Sequence, residues 1–189
     1  FLRESVLPRL ASFPFVKVWA AGCATGEEVY SLAVLLDEAG LLERCTIFGT
    51  DFNDDSLSRA KLGIYPLGRI QEFTRNYQET GATRPFADFY VASYDSATMV
   101  ARLRERITFA NHNLATDQVF GEMNLIFCRN VLIYFDRVLQ DRALRLFADS
   151  LMRGGYLVLG TKEDLQFSSC AQVFEVVERG VKTFIKRGD

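Results

Sequence analysis

The chain has 189 residues, of which 49% are hydrophobic and 13% aromatic, so it can bury one substantial core but not two ordinary domains. Its formal charge is −2 and its Lys and Arg residues are scattered, which argues against nucleic acid as a partner. The four cysteines lie far apart and there is one histidine, which argues against a metal site and favours a reduced, cytoplasmic protein.

No apolar stretch is long enough to span a bilayer, and the first residues do not form a signal peptide. We therefore predict no insertion into a membrane, and we predict a monomer. The chain begins at Phe1 rather than at a methionine, which is typical of a piece of a longer protein.

The first part of the chain predicts alternating strands and helices. A buried strand at 16–21 leads into a glycine-containing turn at 22–26 and then into a helix. This helix carries four apolar residues on one face: Val29, Leu32, Ala33 and Leu36. A second strand at 45–50 ends at Asp51, and a short helix is predicted from Asp54 to Leu62.

The alternation stops between Gly63 and about Arg104. Seven aromatic residues are interleaved here with polar residues and turn formers: Tyr65, Phe73, Tyr77, Phe86, Phe89, Tyr90 and Tyr94. We expect a small β-rich insertion at 63–104 within a single domain that covers 1–189. Its strand edges could accept an extended substrate peptide, or it could only cover one end of the sheet.

The alternation then resumes. Further strands are predicted at 106–110, 122–128 and 156–160. A helix is predicted over 137–151, capped by Asp136 and ended by Gly154-Gly155. Two last strands, 173–178 and 181–186, join tightly around Gly180. The fold class is therefore α/β, a doubly wound and mostly parallel sheet with a carboxyl-terminal antiparallel hairpin.

The turn after the first strand is the first candidate binding motif, because doubly wound sheets bind ligands at this point. The spacing of Gly22 and Gly26 departs from the dinucleotide pattern, and Glu27 and Glu28 in the first helical turn would repel a pyrophosphate. This disfavours a nicotinamide cofactor. S-adenosylmethionine has an ammonium and a sulfonium but no phosphate, so an acidic glycine turn suits it. Both glutamates could equally serve only to complement the helix dipole.

Asp51 is the second candidate, since it ends the second predicted strand, 25 positions after Gly26. A carboxylate at this place can accept hydrogen bonds from both hydroxyls of a ribose. The alternative interpretation is a loop residue that caps the following helix. The position at the strand end favours the ribose role.

Two segments resemble a known family. Residues 18–31 resemble the first motif of CheR, the chemoreceptor methyltransferase family, and residues 126–136 are similar to its most characteristic segment. The resemblance covers nearly the whole chain. Residues 1–4 look like the tail of the family's Thr-x-Phe-Phe-Arg motif, and we expect the family's helical N-terminal domain to be absent from this chain. Val29 departs from the family's usual proline, and 161–163 departs from a more common run.

The resemblance implies a Rossmann-like class I methyltransferase fold with S-adenosylmethionine as cofactor and S-adenosylhomocysteine as product. It implies transfer of the methyl group to glutamate carboxylates of a methyl-accepting chemoreceptor-type protein. The implied cofactor-binding residues are Gly22, Glu28, Asp51, Asn113, Leu114, Cys128, Arg129 and Asn130. Glu28 and Asp51 would hold the amino acid or ribose portions, and Asn113 and Leu114 would flank the adenine. Arg3 and Tyr134 would face the reacting groups.

This reaction mainly requires that the carboxylate be positioned against the methyl group. A glutamate carboxylate is ionised at neutral pH, so its attack on a sulfonium methyl needs no general base. Alignment can supply about 7 kcal/mol or more. Arg3 could hold the carboxylate and Tyr134 could donate a hydrogen bond to it. Tyr134 could instead belong to the core. We interpret Cys128 as part of the wall of the cofactor pocket, and His112 as a structural residue with its hydrogen bonds satisfied. The alternative function is a cofactor-binding regulatory module without transfer activity.

Overall fold

The computed structural model describes residues 1–187 and contains two β-sheets. In chain order the strands are β1 Val16–Ala21, β2 Cys45–Asp51, β3 Ile64–Pro66, β4 Tyr90–Ser93, β5 Ser96–Met99, β6 Ile107–Asn111, β7 Met123–Cys128, β8 Leu151–Leu159, β9 Phe174–Glu178 and β10 Thr183–Lys186. The α-helices are α1 Leu7–Leu10, α2 Glu27–Glu38, α3 Asp54–Leu62, α4 Leu67–Glu79, α5 Ala101–Arg104 and α6 Arg137–Ser150. Within residues 1–187, no helix has the length and apolarity that crossing a membrane requires.

The larger sheet has seven strands in the order β6-β2-β1-β7-β8-β10-β9. The first five of these pair in parallel, whereas β10 is antiparallel to both β8 and β9. Since the carboxyl ends of the five parallel strands lie along one edge, the loops that follow them meet there. The predicted α/β class, the parallel sheet and the terminal antiparallel hairpin are confirmed.

Apolar residues of β1 point alternately to the two faces of this sheet. Val18 and Ala20 belong to one buried cluster together with α2, and Trp19 and Ala21 belong to a second cluster together with α6. A parallel strand covered on both faces needs apolar residues on both, which explains the continuous run Val-Trp-Ala-Ala. The helices therefore lie on both faces, and the sheet is doubly wound.

The predicted end of the helix at 137–151 is wrong in its detail. Asp136 caps α6 as expected, with its side chain accepting from the amide of Leu139. However, α6 ends at Ser150, and Gly154-Gly155 lie inside β8, which begins at once at Leu151. A Cβ at Gly155 would lie 2.9 Å from Leu151 Cδ2, and the β7–β8 register shifts here. The glycines thus permit a strand irregularity instead of ending a helix.

The insertion at 63–104 is only partly β-rich. It contains a three-stranded antiparallel sheet in the order β3-β5-β4, as its turn formers predict. Its longest element is the 13-residue helix α4, which the sequence analysis did not predict. The buried residues Ile70 and Tyr77 of α4 are seven positions apart, and half-buried Phe73 lies between them. This helical spacing was hidden among the other aromatic residues of the segment.

Candidate active site

The turn after β1 lies in close contact with the turns after β2 and β7. The amides of Gly22 and Cys23 both donate to the carbonyl of Thr50, at 2.8 and 2.9 Å. Gly22 has a φ of +72°, and a Cβ there would lie 2.4 Å from Val131 Cγ2. Only glycine permits this backbone conformation and this close approach without strain. The turn at 22–26 therefore packs between the end of β2 and the loop after β7.

Asp51 is held rigidly at the end of β2. Its Oδ2 accepts from the amide of Ala24 at 2.9 Å and its Oδ1 accepts from the amide of Asn53 at 3.0 Å. The side chain of Asn53, not of Asp51, caps α3 by accepting from Ser56 N. Each carboxylate oxygen of Asp51 therefore keeps acceptor capacity for a ligand hydroxyl. The capping interpretation of Asp51 is wrong.

The loop after β6 forms a second wall. Asn113 Oδ1 accepts from the amide of Ala115 at 2.9 Å, and Leu114 is buried. His112 is 7% exposed, and its Nε2 donates to the carbonyl of Gln118 at 3.1 Å. Its Nδ1 is buried without a partner within residues 1–187. The prediction of a fully satisfied structural histidine is therefore wrong for one of the two ring nitrogens.

The loop after β7 is organised by a residue to which the sequence analysis gave no role. Glu163 is 5% exposed and accepts from four backbone amides, those of Asn130, Val131, Leu132 and Gly160, at 2.6 to 3.1 Å. A carboxylate in this position fixes the loop that carries the predicted residues Asn130 and Tyr134. Its three partners in this loop are more than 30 residues away, so the local sequence around Glu163 could not reveal these contacts.

Glu28 and Arg129 form an ion pair across the first turn of α2. Their side-chain atoms Oε1 and Nη1 lie 2.8 Å apart. Burial raises the pKa of Glu28 above its ordinary value, and the hydrogen bond and charge of Arg129 oppose this change. Because the pair is partly exposed, the Glu28 carboxylate remains accessible at the edge of the turn. It can attract a cationic group of a ligand.

The nearby thiols are not nucleophiles in this arrangement. Burial, followed by the charge of Asp51, raises the pKa of Cys23 to about 12. Cys128 is completely buried, and this burial raises the pKa of its thiol well above the ordinary value. Thiols are unreactive in the protonated form. The interpretation of Cys128 as wall material agrees with this environment.

These loops enclose a cavity of about 700 Å³ at the carboxyl edge of the sheet. Predicted residues that border it are Gly22, Asp51, Asn113, Leu114, Asn130 and Tyr134. Residues that border it but were not predicted are Ala24, Phe52, His112, Ala115, Val131 and Phe135. The predicted residues Glu28, Cys128 and Arg129 do not border it. Tyr134 is 81% exposed, so it forms the outer rim and does not belong to the core.

Arg3 does not reach this cavity. Its guanidinium pairs with Glu38 and donates to Thr80 Oγ1. Glu38 ends α2, and about 16 Å of helix separates it from the glycine turn at the other end. The side chain of Glu38 is only 4% exposed, so it needs a cationic partner, and Arg3 supplies one. The expected contact of Arg3 with the reacting groups is not formed in this arrangement.

Sequence comparison agrees with this geometry. The model of the family described as CheR methyltransferase, SAM binding domain, matches residues 1–182. The chain belongs to the CheR methyltransferase family. A Pseudomonas putida protein named as the methyltransferase Cher3 is 52% identical to the chain over 98% of the chain and 68% of its own length. The chemotaxis protein methyltransferase of Listeria monocytogenes is 35% identical over 87% of the chain and 60% of its own length.

A solved structure shares the fold. The TehB-like SAM-dependent methyltransferase from Corynebacterium glutamicum superposes with a TM-score of 0.53 at 14% identity, over 97% of this chain and 85% of that chain. The predicted CheR resemblance and class I methyltransferase fold are thus confirmed, and S-adenosylmethionine is the cofactor of this family domain. The residues at this edge fit the cofactor, since Asp51 offers acceptors inside the cavity and Glu28 offers a negative charge beside the glycine turn.

Proposed function

We propose that this CheR-family chain transfers the methyl group of S-adenosylmethionine to glutamate carboxylates of a chemoreceptor-type protein. The products are a glutamyl methyl ester and S-adenosylhomocysteine. The observation that carries the proposal is the open edge of the cavity. Here the exposed phenol of Tyr134 borders the same cavity as Asp51 and Asn113, which we expect to bind the cofactor. The name of the Listeria monocytogenes relative, a chemotaxis protein methyltransferase, supports the chemotaxis context.

Some residues around the cavity bind the cofactor, and others position the acceptor carboxylate of the substrate. Asp51 accepts from the ribose hydroxyls, because its two oxygens are already oriented by the amides of Ala24 and Asn53. Glu28 attracts the ammonium group. Asn113 and Leu114 pack at the adenine. In this proposal these residues bind, and none of them exchanges a proton during transfer.

The acceptor carboxylate needs alignment rather than activation. When bound, the cofactor supplies a methyl group on a positively charged sulfur, so an ionised carboxylate accepts it directly. Tyr134 donates a hydrogen bond to the carboxylate oxygen that does not attack, which orients the other oxygen toward the methyl group. Arg3 has no part in this proposal, because its guanidinium is bound to Glu38.

The test is methyl transfer from radiolabelled S-adenosylmethionine to a chemoreceptor cytoplasmic fragment. Carboxyl methyl esters are base-labile, so the label should be released as methanol in mild alkali. Tyr134→Phe should lower kcat by about 10-fold or more, which corresponds to about 1.4 kcal/mol of lost transition-state stabilisation. The affinity for S-adenosylhomocysteine, measured by calorimetry, should stay unchanged.

Tyr94→Phe is the matched control, since Tyr94 is fully exposed in the turn between β4 and β5. It should leave both kcat and cofactor affinity unchanged. Cofactor binding without any base-labile transfer would reject the enzyme and favour the regulatory module. Full activity of Tyr134→Phe would remove Tyr134 from the mechanism.

Peptide addition to the insertion stays a prediction. Strand β4 forms one edge of the smaller sheet, and Val91, Ala92 and Ser93 are exposed along it. A free strand edge is the geometry that an added extended peptide requires. We propose it as a second contact with the substrate protein.

A further inference from the structure

An exposed apolar surface adjoins the cavity on the side of α6. It is formed by Tyr134, Val138 and Phe167, which are 81%, 80% and 84% exposed, together with Ile133 at 41%. We call these four residues, with the cations Arg137 and Lys162, the α6 rim. Apolar side chains that are exposed singly need no explanation, but a group of them beside a binding cavity is typical of an interaction surface.

The α6 rim is continuous from the cavity to the first turn of α6. Tyr134 borders the cavity, and Arg137 is the first residue of α6. The guanidinium carbon of Arg137 lies 6.0 Å from the centre of the Phe167 ring. The segment that carries Phe167 is bound to α6 through Asp141, which accepts from Ser169 N at 2.6 Å and from Ser168 Oγ at 3.1 Å. The rim is thus a fixed surface, not a loose loop.

Two cations of the α6 rim have no ion-pair partner. Within the described residues 1–187, neither Arg137 nor Lys162 forms an ion pair, and both are exposed. The three acids next to them in sequence keep their charges but are bound to other groups. Asp136 caps α6, Glu163 accepts from four backbone amides, and Asp164 pairs with Lys182 at 2.5 Å. The rim therefore offers two exposed cations, which are not held in ion pairs, beside exposed apolar side chains.

We infer that the α6 rim is the docking surface for the methyl-accepting segment of the substrate, an acidic amphipathic stretch of protein. The inference rests on the proposed transfer to carboxylates. Apolar side chains of the segment cover Val138 and Phe167, and its acidic side chains face Arg137 and Lys162. The acceptor glutamate then reaches the cavity past Tyr134. Complementary charge steers such a segment to the site and fixes its register.

The experiment compares Phe167→Ala and Arg137→Glu with two matched controls on the opposite edge of the sheet. Phe15→Ala removes an equally exposed phenylalanine, 79% exposed, which precedes β1. Arg153→Glu reverses an exposed arginine near the start of β8. Each protein is assayed for KM and kcat with a chemoreceptor cytoplasmic fragment, for affinity for S-adenosylhomocysteine, and for binding of the labelled fragment by fluorescence anisotropy.

Both rim variants should raise KM and weaken fragment binding by about 10-fold, while kcat and affinity for S-adenosylhomocysteine change less than about 2-fold. The salt dependence of KM should become shallower in Arg137→Glu only. Both control variants should behave like the unmodified protein.

The outcomes separate the inference from the proposed function. Unchanged KM and fragment binding in both rim variants would overturn the inference while leaving methyl transfer intact. Fragment binding that is lost in the rim variants, with no transfer by the unmodified protein, would support the surface and reject the reaction. Failure of the unmodified protein to bind the fragment would also overturn the inference.

Discussion

Gly22, directly after β1, lies against Val131 in the loop after β7. Its φ of +72° and the 2.4 Å approach of Val131 Cγ2 leave no space for a side chain. Gly40 has a similar φ of +67°, but nothing lies within 4 Å of a Cβ placed there. Comparing alanine substitutions at the two glycines therefore distinguishes backbone strain from steric contact with Val131.

We expect Gly22→Ala to weaken binding of S-adenosylhomocysteine by more than about 10-fold, because Val131 must move into the cavity. Gly40→Ala should leave this affinity unchanged. Gly40→Ala should lower the free energy of unfolding by about 1–2 kcal/mol, since it forces alanine into the left-handed region, and Gly22→Ala should lower it further because its Cβ also meets Val131. Calorimetry and urea denaturation measure the two quantities. Equal affinities in the two variants would show that contact with Val131 is unimportant.

The proposed role of Glu28 implies that cofactor binding depends on pH with a defined sign. Burial raises its pKa above the ordinary value, so in the folded protein the carboxylate becomes protonated at a higher pH than it does in the unfolded chain. The stability that Glu28 contributes is therefore present below the unfolded pKa and is lost as pH rises through the folded pKa. In the proposed site, cofactor binding has the opposite preference, because the ammonium group of the cofactor would favour the ionised form of Glu28.

We predict that affinity for S-adenosylhomocysteine falls as pH is lowered from neutral through the raised pKa of Glu28. Glu28→Gln should bind more weakly at neutral pH and should lose most of this dependence. Calorimetric titrations of both proteins at several pH values provide the measurement. An identical pH profile in the variant would assign the dependence to another group.

At the scale of elements, the loop after β7 depends on Glu163. Four backbone amides point at one carboxylate, and a Cβ at Gly160 would lie 2.6 Å from its Oε2. An anion is suited to this place because it has acceptor capacity at both oxygens and no donor. The loop in turn carries Asn130 and Tyr134, so Glu163 positions residues of the cavity without bordering it.

Glu163→Gln should lower the free energy of unfolding by about 1–3 kcal/mol, because an amide group then faces backbone donors. Glu178→Gln is the control, since Glu178 is exposed and accepts from one amide, that of Gly180, at 3.0 Å. It should change stability by less than about 0.5 kcal/mol. Urea denaturation compares the two, and a similar effect of both would contradict the role given to Glu163.

At the scale of the whole molecule, the insertion and the larger sheet form one unit. Tyr65, Ile70, Tyr77 and Phe89 of the insertion belong to the same buried cluster as α2. Tyr65 donates to the carbonyl of Thr25 at 2.9 Å, so the insertion also supports the glycine turn. Removing 63–104 would therefore expose the apolar face of α2, and point substitutions on β4 are the better test of peptide docking.

We predict that the chain unfolds in a single transition. Trp19 is the only tryptophan and lies in the cluster on the α6 side, whereas far-UV ellipticity reports all helices. Fluorescence and ellipticity should give the same midpoint in urea, because both clusters share the strands of one sheet. Two separate midpoints would show that the insertion and α2 unfold independently of the rest.

The sequence by itself determined the alternation of strands and helices, the glycine turn, the position of Asp51 and the CheR resemblance. These features depend on local periodicity and on short motifs, which consist of residues close together in the sequence. The bounds of β1 and α3 agree with prediction residue by residue.

Only the tertiary structure decided which distant groups meet. It assigned Arg3 to Glu38, 35 positions away, and Glu163 to the amides of the loop after β7. It also placed Gly154 and Gly155 inside β8. The segment 70–77, which was expected to belong to a β-rich insertion, lies in helix α4. The physical reason is that a buried charge takes whichever partner the packed chain brings to it, and packing depends on contacts between residues far apart in sequence.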